Sequence, residues 1–148
     1  MHSFYFDDNL IAVIKNNKKT IIIDVNNIRV INKNIRYILN HNSLFYGSTI
    51  EGRKKYIKNN LKKSYKLPYI INKNIILLSI GNIRNNNYLL INLNKIIDYK
   101  CINKNVLVRC VNNYIFNTNI SKISFENNFI NSFKIYNQIK WQKSNNFV

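Results

Sequence analysis

The chain has 148 residues and carries 23 Lys plus Arg against 6 Asp plus Glu, a formal net charge of +17. A single domain spanning residues 1–148 is long enough to bury a real core without disulfide or metal staples. A charge so far from balance points to a polyanionic partner, nucleic acid first. Asn, Ile, Lys, Tyr and Phe dominate, and their codons are all rich in A and T, so base drift accounts for part of the lysine excess. It does not account for the shortage of acids, whose codons are not especially G/C-rich.

Taken in chain order, residues 1–9 carry Asp7 and Asp8 and lack a charged stretch leading into an apolar core, so no secretory leader is read there. β-Branched runs at 10–14 and 20–25, separated by Asn16-Asn17-Lys18, predict a hairpin. Residues 27–39 place Ile28, Ile31, Ile35, Ile38 and Leu39 at spacings of three and four, the stripe of a short helix, with a strand at 28–31 as the rival. Ser48 with Glu51 forms a capping-box pattern, and Ile50, Ile57 and Leu61 then share one face of a short basic helix that Gly52 weakens by about 1 kcal/mol. Pro68 stops that helix and opens a second hairpin, 69–71 and 75–80, returning through Asn72-Lys73-Asn74.

Residues 81–87 hold Arg84 and three consecutive asparagines, a polar loop that predicts an exposed tip. Further strands are expected at 88–93, 96–99, 106–111 and 114–118, the last two joined at Asn112-Asn113. The closing segment reads as a helix with Ser124 as N-cap and a stripe of Phe125, Phe129, Ile130, Phe133 and Tyr136 lying on the sheet. The fold class is therefore α+β: one β-rich domain of antiparallel hairpins, with a short basic helix and a C-terminal helix packed on the sheet. The most apolar segment, 68–80, is interrupted by Asn72, Lys73 and Asn74 and is shorter than the roughly 18 apolar residues of a membrane span, so no membrane partner is expected.

The densest basic run starts at Arg53 and adds Lys54, Lys55, Lys58, Lys62, Lys63 and Lys66 without one acid, interleaved with Tyr56, Ile57, Leu61 and Tyr65. Such a surface gains from releasing the counterions condensed on phosphates. Each lysine alone is also explained by a solvated helix face, and Arg53 by an ion pair with Glu51. Arg84, Asn85 and Asn86 are a second candidate contact, since asparagine pairs with adenine edges, and a plain solvated loop is the alternative.

Catalysis needs placed acids, bases or nucleophiles, and the chain offers six scattered carboxylates and the isolated His2 and His41. There is no phosphate-cradling GxxxxGK loop. Cys101 and Cys110 lack CxxC spacing and a nearby histidine, so they read as buried free thiols, and neither a metal nor another cofactor is expected. The chain is not read as an enzyme.

Three segments resemble the ComK competence transcription factors of low-GC Gram-positive bacteria. Members of that family carry an aromatic pair followed by Gly-Ser-Ser and, three residues on, Gly-Arg-Lys; here those positions are Phe45-Tyr46-Gly47-Ser48-Thr49 and Gly52-Arg53-Lys54. Lys66-Leu67-Pro68-Tyr69-Ile70 is similar to the family's Lys-Pro-Pro-Ile, with Leu67 in place of the first proline. Ile120-Ser121, then Ser124-Phe125-Glu126-Asn127, matches the start of the family's closing helix. A weaker similarity links residues 88–97 to LytTR-type DNA-binding domains. The resemblance implies a cytoplasmic, nucleoid-associated activator that reads paired A-tract and T-tract boxes in double-stranded DNA, largely through the minor groove. Paired boxes further imply a homo-oligomer, and activation implies contact with RNA polymerase. In that frame Arg53 is a phosphate or minor-groove contact, because A-tracts narrow the groove and favour arginine. A structural RNA-binding protein, ribosomal or other, from an A/T-rich genome explains the charge equally well but not the three matching segments.

Overall fold

A computed structural model describes residues 4–46, 68–84, 86 and 88–145. The chain order is β1 (Leu10–Asn16), β2 (Lys19–Asp24), β3 (Ile28–Ile31), α1 (Ile35–Phe45), β4 (Tyr69–Asn72), β5 (Ile75–Ile80), β6 (Leu89–Asn92), β7 (Ile96–Ile102), β8 (Asn105–Cys110), β9 (Ile115–Asn117) and α2 (Lys122–Asn145). Turns are made with asparagine: Asn17, Asn103, Asn112, Asn113 and Asn119 all take positive φ. Asparagine tolerates this left-handed region better than other residues with a Cβ because its short amide bonds locally to the backbone. Asn103 and Lys104 both have positive φ (50° and 68°), which matches the right-handed twist of the β7–β8 hairpin they connect.

β1 to β6 form one antiparallel sheet in the order β3-β2-β1-β6-β5-β4, and β7 to β9 form a second, β7-β8-β9. The larger sheet is covered on both faces. On one, Ile35, Ile38 and Leu39 of α1 pack with Leu10, Val13, Ile22, Ile71, Ile75, Leu77 and Leu90. On the other, Val106, Val108 and Cys110 of β8 and Phe125 of α2 pack with Ile11, Ala12, Ile23, Leu78, Ile80, Leu89 and Ile91. Double coverage explains why β5, Ile-Ile-Leu-Leu-Ser-Ile, is buried at every position instead of alternating. A register shift between Leu10 and Ala12 turns the consecutive Ile11 and Ala12 toward the same layer.

Polar side chains join the layers. Asn42 of α1 accepts from the Phe6 N–H (2.7 Å) and donates to the Phe4 carbonyl (2.9 Å), clamping the N-terminal segment to the helix. Across the sheet, the Tyr88 and Ser79 hydroxyls share a buried hydrogen bond, and the Asn128 amide of α2 donates to the Ser79 carbonyl. Burial pushes the Tyr88 phenol well above its usual range, so it stays a neutral member of this chain of bonds.

The β-rich α+β class and the hairpins are as the sequence predicts; several details differ. Residues 28–31 are strand, the rival reading, because they pair with β2 from Thr20↔Ile31 to Ile23↔Ile28. The helix expected over 27–39 begins only after Asn34, whose side chain accepts from the Tyr37 N–H at 2.8 Å, and continues to Phe45. The N-cap of α2 is Ser121, not Ser124: the Ser124 N–H donates to the Ser121 Oγ at 3.2 Å. The buried face of α2 runs through Phe125, Asn128, Ser132 and Ile135, leaving Ile130 and Phe133 exposed, since Asn128 and Ser132 find hydrogen-bond partners inside. Cys110 is buried as expected, but Cys101 is exposed. Burial pushes the Cys110 thiol up to about 12. The short basic helix expected from Ser48 lies outside the described residues.

Phe125 is fully buried between the sheets, whereas Ile123 two residues earlier is 73% exposed. Phe125→Ala should therefore cost about 3–5 kcal/mol in urea denaturation, and Ile123→Ala no more than about 0.5 kcal/mol.

Candidate nucleic-acid interface

Burial of both faces leaves the sheet's two ends and its edges as surface. Antiparallel pairing brings the β1–β2 turn, the β3–α1 connection and the β5–β6 loop to one end, as the pairs Asn16↔Lys19, Thr20↔Ile31, Ile14↔Leu89 and Ile80↔Leu89 define. These connections carry Lys15, Lys18, Lys19, Lys33, Arg36 and Arg84, and among the described residues no acid stands with them. Asp7, Asp8 and Asp24 gather at the opposite end, where Leu10 pairs with Asp24 and its N–H donates to the Asp7 carbonyl at 3.1 Å. That end is of mixed charge, because Arg29 donates to Asp24 at 2.8 Å in a largely buried ion pair. Burial raises the Asp24 carboxyl, and the neighbouring guanidinium opposes that shift.

The cationic end is fastened by backbone contacts. Lys15 donates its ammonium to the Ile83 carbonyl (2.6 Å) and its N–H to the Tyr88 carbonyl (2.9 Å), tying the β5–β6 loop to β1. Thr20 donates to the Lys33 carbonyl (2.8 Å), tying β2 to the approach to α1. The Lys33 ammonium lies 4.9 Å from the Tyr37 ring centre, a cation–π contact that orders the side chain at the helix start. The first turn of α1 contains no acid, so the positive end of its dipole adds to the field. Arg36 is exposed in the first turn of α1.

In that loop Gly81 sits at φ 90°, and the Arg84 N–H donates to the Asn82 side chain at 3.0 Å. Arg84 and Asn86 are exposed, so the structure presents these two candidates at the cationic end. Asn85, Arg53, Lys54, Lys55, Lys58, Lys62 and Lys63 lie outside the described residues. Sequence reasoning missed Lys15, Lys18, Lys19, Lys33 and Arg36, which are scattered along the chain. The signal was present in the hairpin pattern: once 10–14 and 20–25 pair, the lysines around Asn17 must share an end with the loop that follows β5.

A sheet that ends in a cluster of lysine and arginine on polar turns, with no acid among the described residues there, suits a long anion such as nucleic acid. No helix among the described residues is long and apolar enough to cross a membrane. The family model described as ComK protein matches residues 8–144, and the chain belongs to the ComK family. The family is one of competence transcription factors, a class of DNA-binding regulators rather than enzymes. No curated protein and no solved structure gives a significant match.

The Gly81 conformation sets the loop's path, and a Cβ there would meet nothing nearer than the Tyr88 ring at 3.9 Å. The cost of Gly81→Ala is then backbone strain and not crowding, about 1–3 kcal/mol. Urea denaturation should show that loss for Gly81→Ala and a smaller one for Gly81→Asn, since asparagine tolerates positive φ.

Proposed function

We propose that this protein is a DNA-binding transcription regulator of the competence type that takes A/T-rich duplex at the cationic end of its six-stranded sheet, together with the basic run from Arg53 to Lys63. The single observation that carries the proposal is the segregation of charge in a member of the ComK family: six cations from three connections share one end, with no acid among the described residues there. The lysines neutralise phosphates, a contribution to affinity that is independent of sequence. Preference comes from Arg53 and Arg84, because the narrow minor groove of an A-tract concentrates negative potential that favours arginine. Asn85 and Asn86 beside Arg84 supply amides for base edges.

Recognition of this kind separates A/T from G/C but hardly A from T, so one tract carries little information. A homo-oligomer that contacts two boxes at once raises selectivity through their spacing. Contact with RNA polymerase then converts occupancy into activation, and the protein acts in the cytoplasm on the nucleoid. The structural RNA-binding alternative accounts for charge, but nothing in the family match supports it.

The test is a gel shift at fixed salt on A/T-tract duplex, G/C-rich duplex and structured RNA. A/T-tract duplex should bind best, and preference for RNA would overturn the proposal. With roughly six to ten phosphate contacts, affinity should fall by about 10³–10⁵ between 50 and 200 mM salt. Each of Lys18→Ala and Lys19→Ala should lower the slope of log K against log salt by about 1. Arg53→Ala should weaken A/T-tract binding more than any single lysine change from Lys54 to Lys63, with the circular dichroism spectrum unchanged.

A further inference from the structure

The described strands present four sheet edges, and three of them carry features that discourage pairing with another chain. β4 has a register shift between Ile70 and Asn72 and lies against α1. β7 has one between Ile96 and Asp98 and shows exposed Asp98 and Lys100. β9 is only three residues long. β3 has none of these. It pairs with β2 in unbroken register over four residues, has no lysine or proline, and exposes Ile28 (57%) and Val30 (61%) on one face. Its one charge, Arg29, is neutralised by Asp24 with side chains only 19% and 11% exposed. In a molecule of net charge +17, this edge is a place where two copies can approach without bringing unbalanced cations together.

We infer that β3 is the self-association edge of this protein: a second copy adds its own β3 antiparallel to the first, joining two six-stranded sheets into one. Such a pair is generated by a two-fold axis perpendicular to the sheet, so Ile28 and Val30 of each copy meet the same residues of the other. The functional consequence follows from sheet twist and rests on the DNA-binding reading above. In a flat sheet the two cationic ends would point in opposite directions. Sheets twist by roughly 20–25° per strand, and seven intervals separate β6 of one copy from β6 of its partner in the order β6-β1-β2-β3 and back. The accumulated rotation is about 140–175°, which swings the two β6 strands to within roughly 5–40° of parallel. At about 4.8 Å per interval the starts of the two β6 strands, where the β5–β6 loops enter, then stand about 34 Å apart. One turn of duplex is about 34–36 Å. The joined sheet therefore aims two copies of Arg84 at one face of one duplex, a helical turn apart, which is the geometry paired boxes require.

Two measurements decide this. Without DNA, sedimentation equilibrium of the full chain should show a reversible dimer. The Ile28→Lys/Val30→Lys variant should raise its dissociation constant at least about tenfold while keeping the circular dichroism spectrum. If that variant fails to fold, amide hydrogen exchange of the unaltered protein takes its place: residues 28–31 should gain protection as concentration rises through the dimerisation range. A chain that stays monomeric, a dimer unaffected by the lysines, or exchange at 28–31 that ignores concentration would overturn the inference. With DNA, the charge-neutral Ile28→Thr/Val30→Thr variant should keep its affinity for one A/T tract and lose about tenfold on two tracts one turn apart. A dimer that forms yet binds no DNA would refute the DNA-binding reading and leave the edge assignment standing. Equal two-tract affinity for the threonine variant and the unaltered chain would refute the twist geometry.

Discussion

Burial of both faces of the six-stranded sheet is the constraint on which the rest of the molecule depends. A sheet with one wet face has room for a binding surface built on alternating polar residues; this one has α1 on one side and the second sheet with α2 on the other. Ile75 to Ile80 are consequently apolar without alternation, apart from Ser79, and Ser79 is claimed by Tyr88 and Asn128. The sheet's own open surface is confined to its rim. What remains available is the turns at the two ends and the edge of β3, and each has a distinct electrical character.

Charge separation along the strand axis follows from the same architecture. Antiparallel connections alternate between ends, so a lysine in one turn is joined by lysines from every second connection and not by those in between. Lys18, Lys33 and Arg84 lie far apart in sequence yet belong to three such connections. At the other end, Asp24 and Arg29 cancel, which leaves the nearby edge nearly neutral. A cationic end and a nearly neutral edge thus coexist in a molecule whose total charge opposes self-association.

Much of the fold was legible in the sequence because asparagine marks the turns: Asn17, Asn74 and Asn112-Asn113 lie between β-branched runs, and each run became a strand. The family was legible in short ordered motifs. Residues 28–31 were not, since isoleucines at 28, 31, 35 and 38 satisfy a helix and equally a strand followed by a helix. Only the pairing with β2, a contact between segments, distinguishes them. The C-terminal stripe erred for a related reason: polarity alone excludes Asn128 and Ser132 from a core, but the Asn128 Nδ2 reaches the Ser79 carbonyl and the Ser132 hydroxyl bonds the Asn128 carbonyl, which offsets part of the cost of burial although the Asn128 Oδ1 is left without a hydrogen bond. Of the site, Arg84 and Asn86 were visible from local composition, whereas Lys15, Lys18, Lys19, Lys33 and Arg36 become a group only through topology.

The central claim is that one end of the central sheet meets DNA. An NMR titration of the isotopically labelled chain with an A/T-tract duplex reads that contact residue by residue. The account predicts backbone shifts and line broadening at 15–20, 32–36 and 81–88, with Asp7, Asp8 and Asp24 at the other end unmoved. Perturbations centred on those acids or on the exposed face of α2, with the three cationic connections silent, would contradict it.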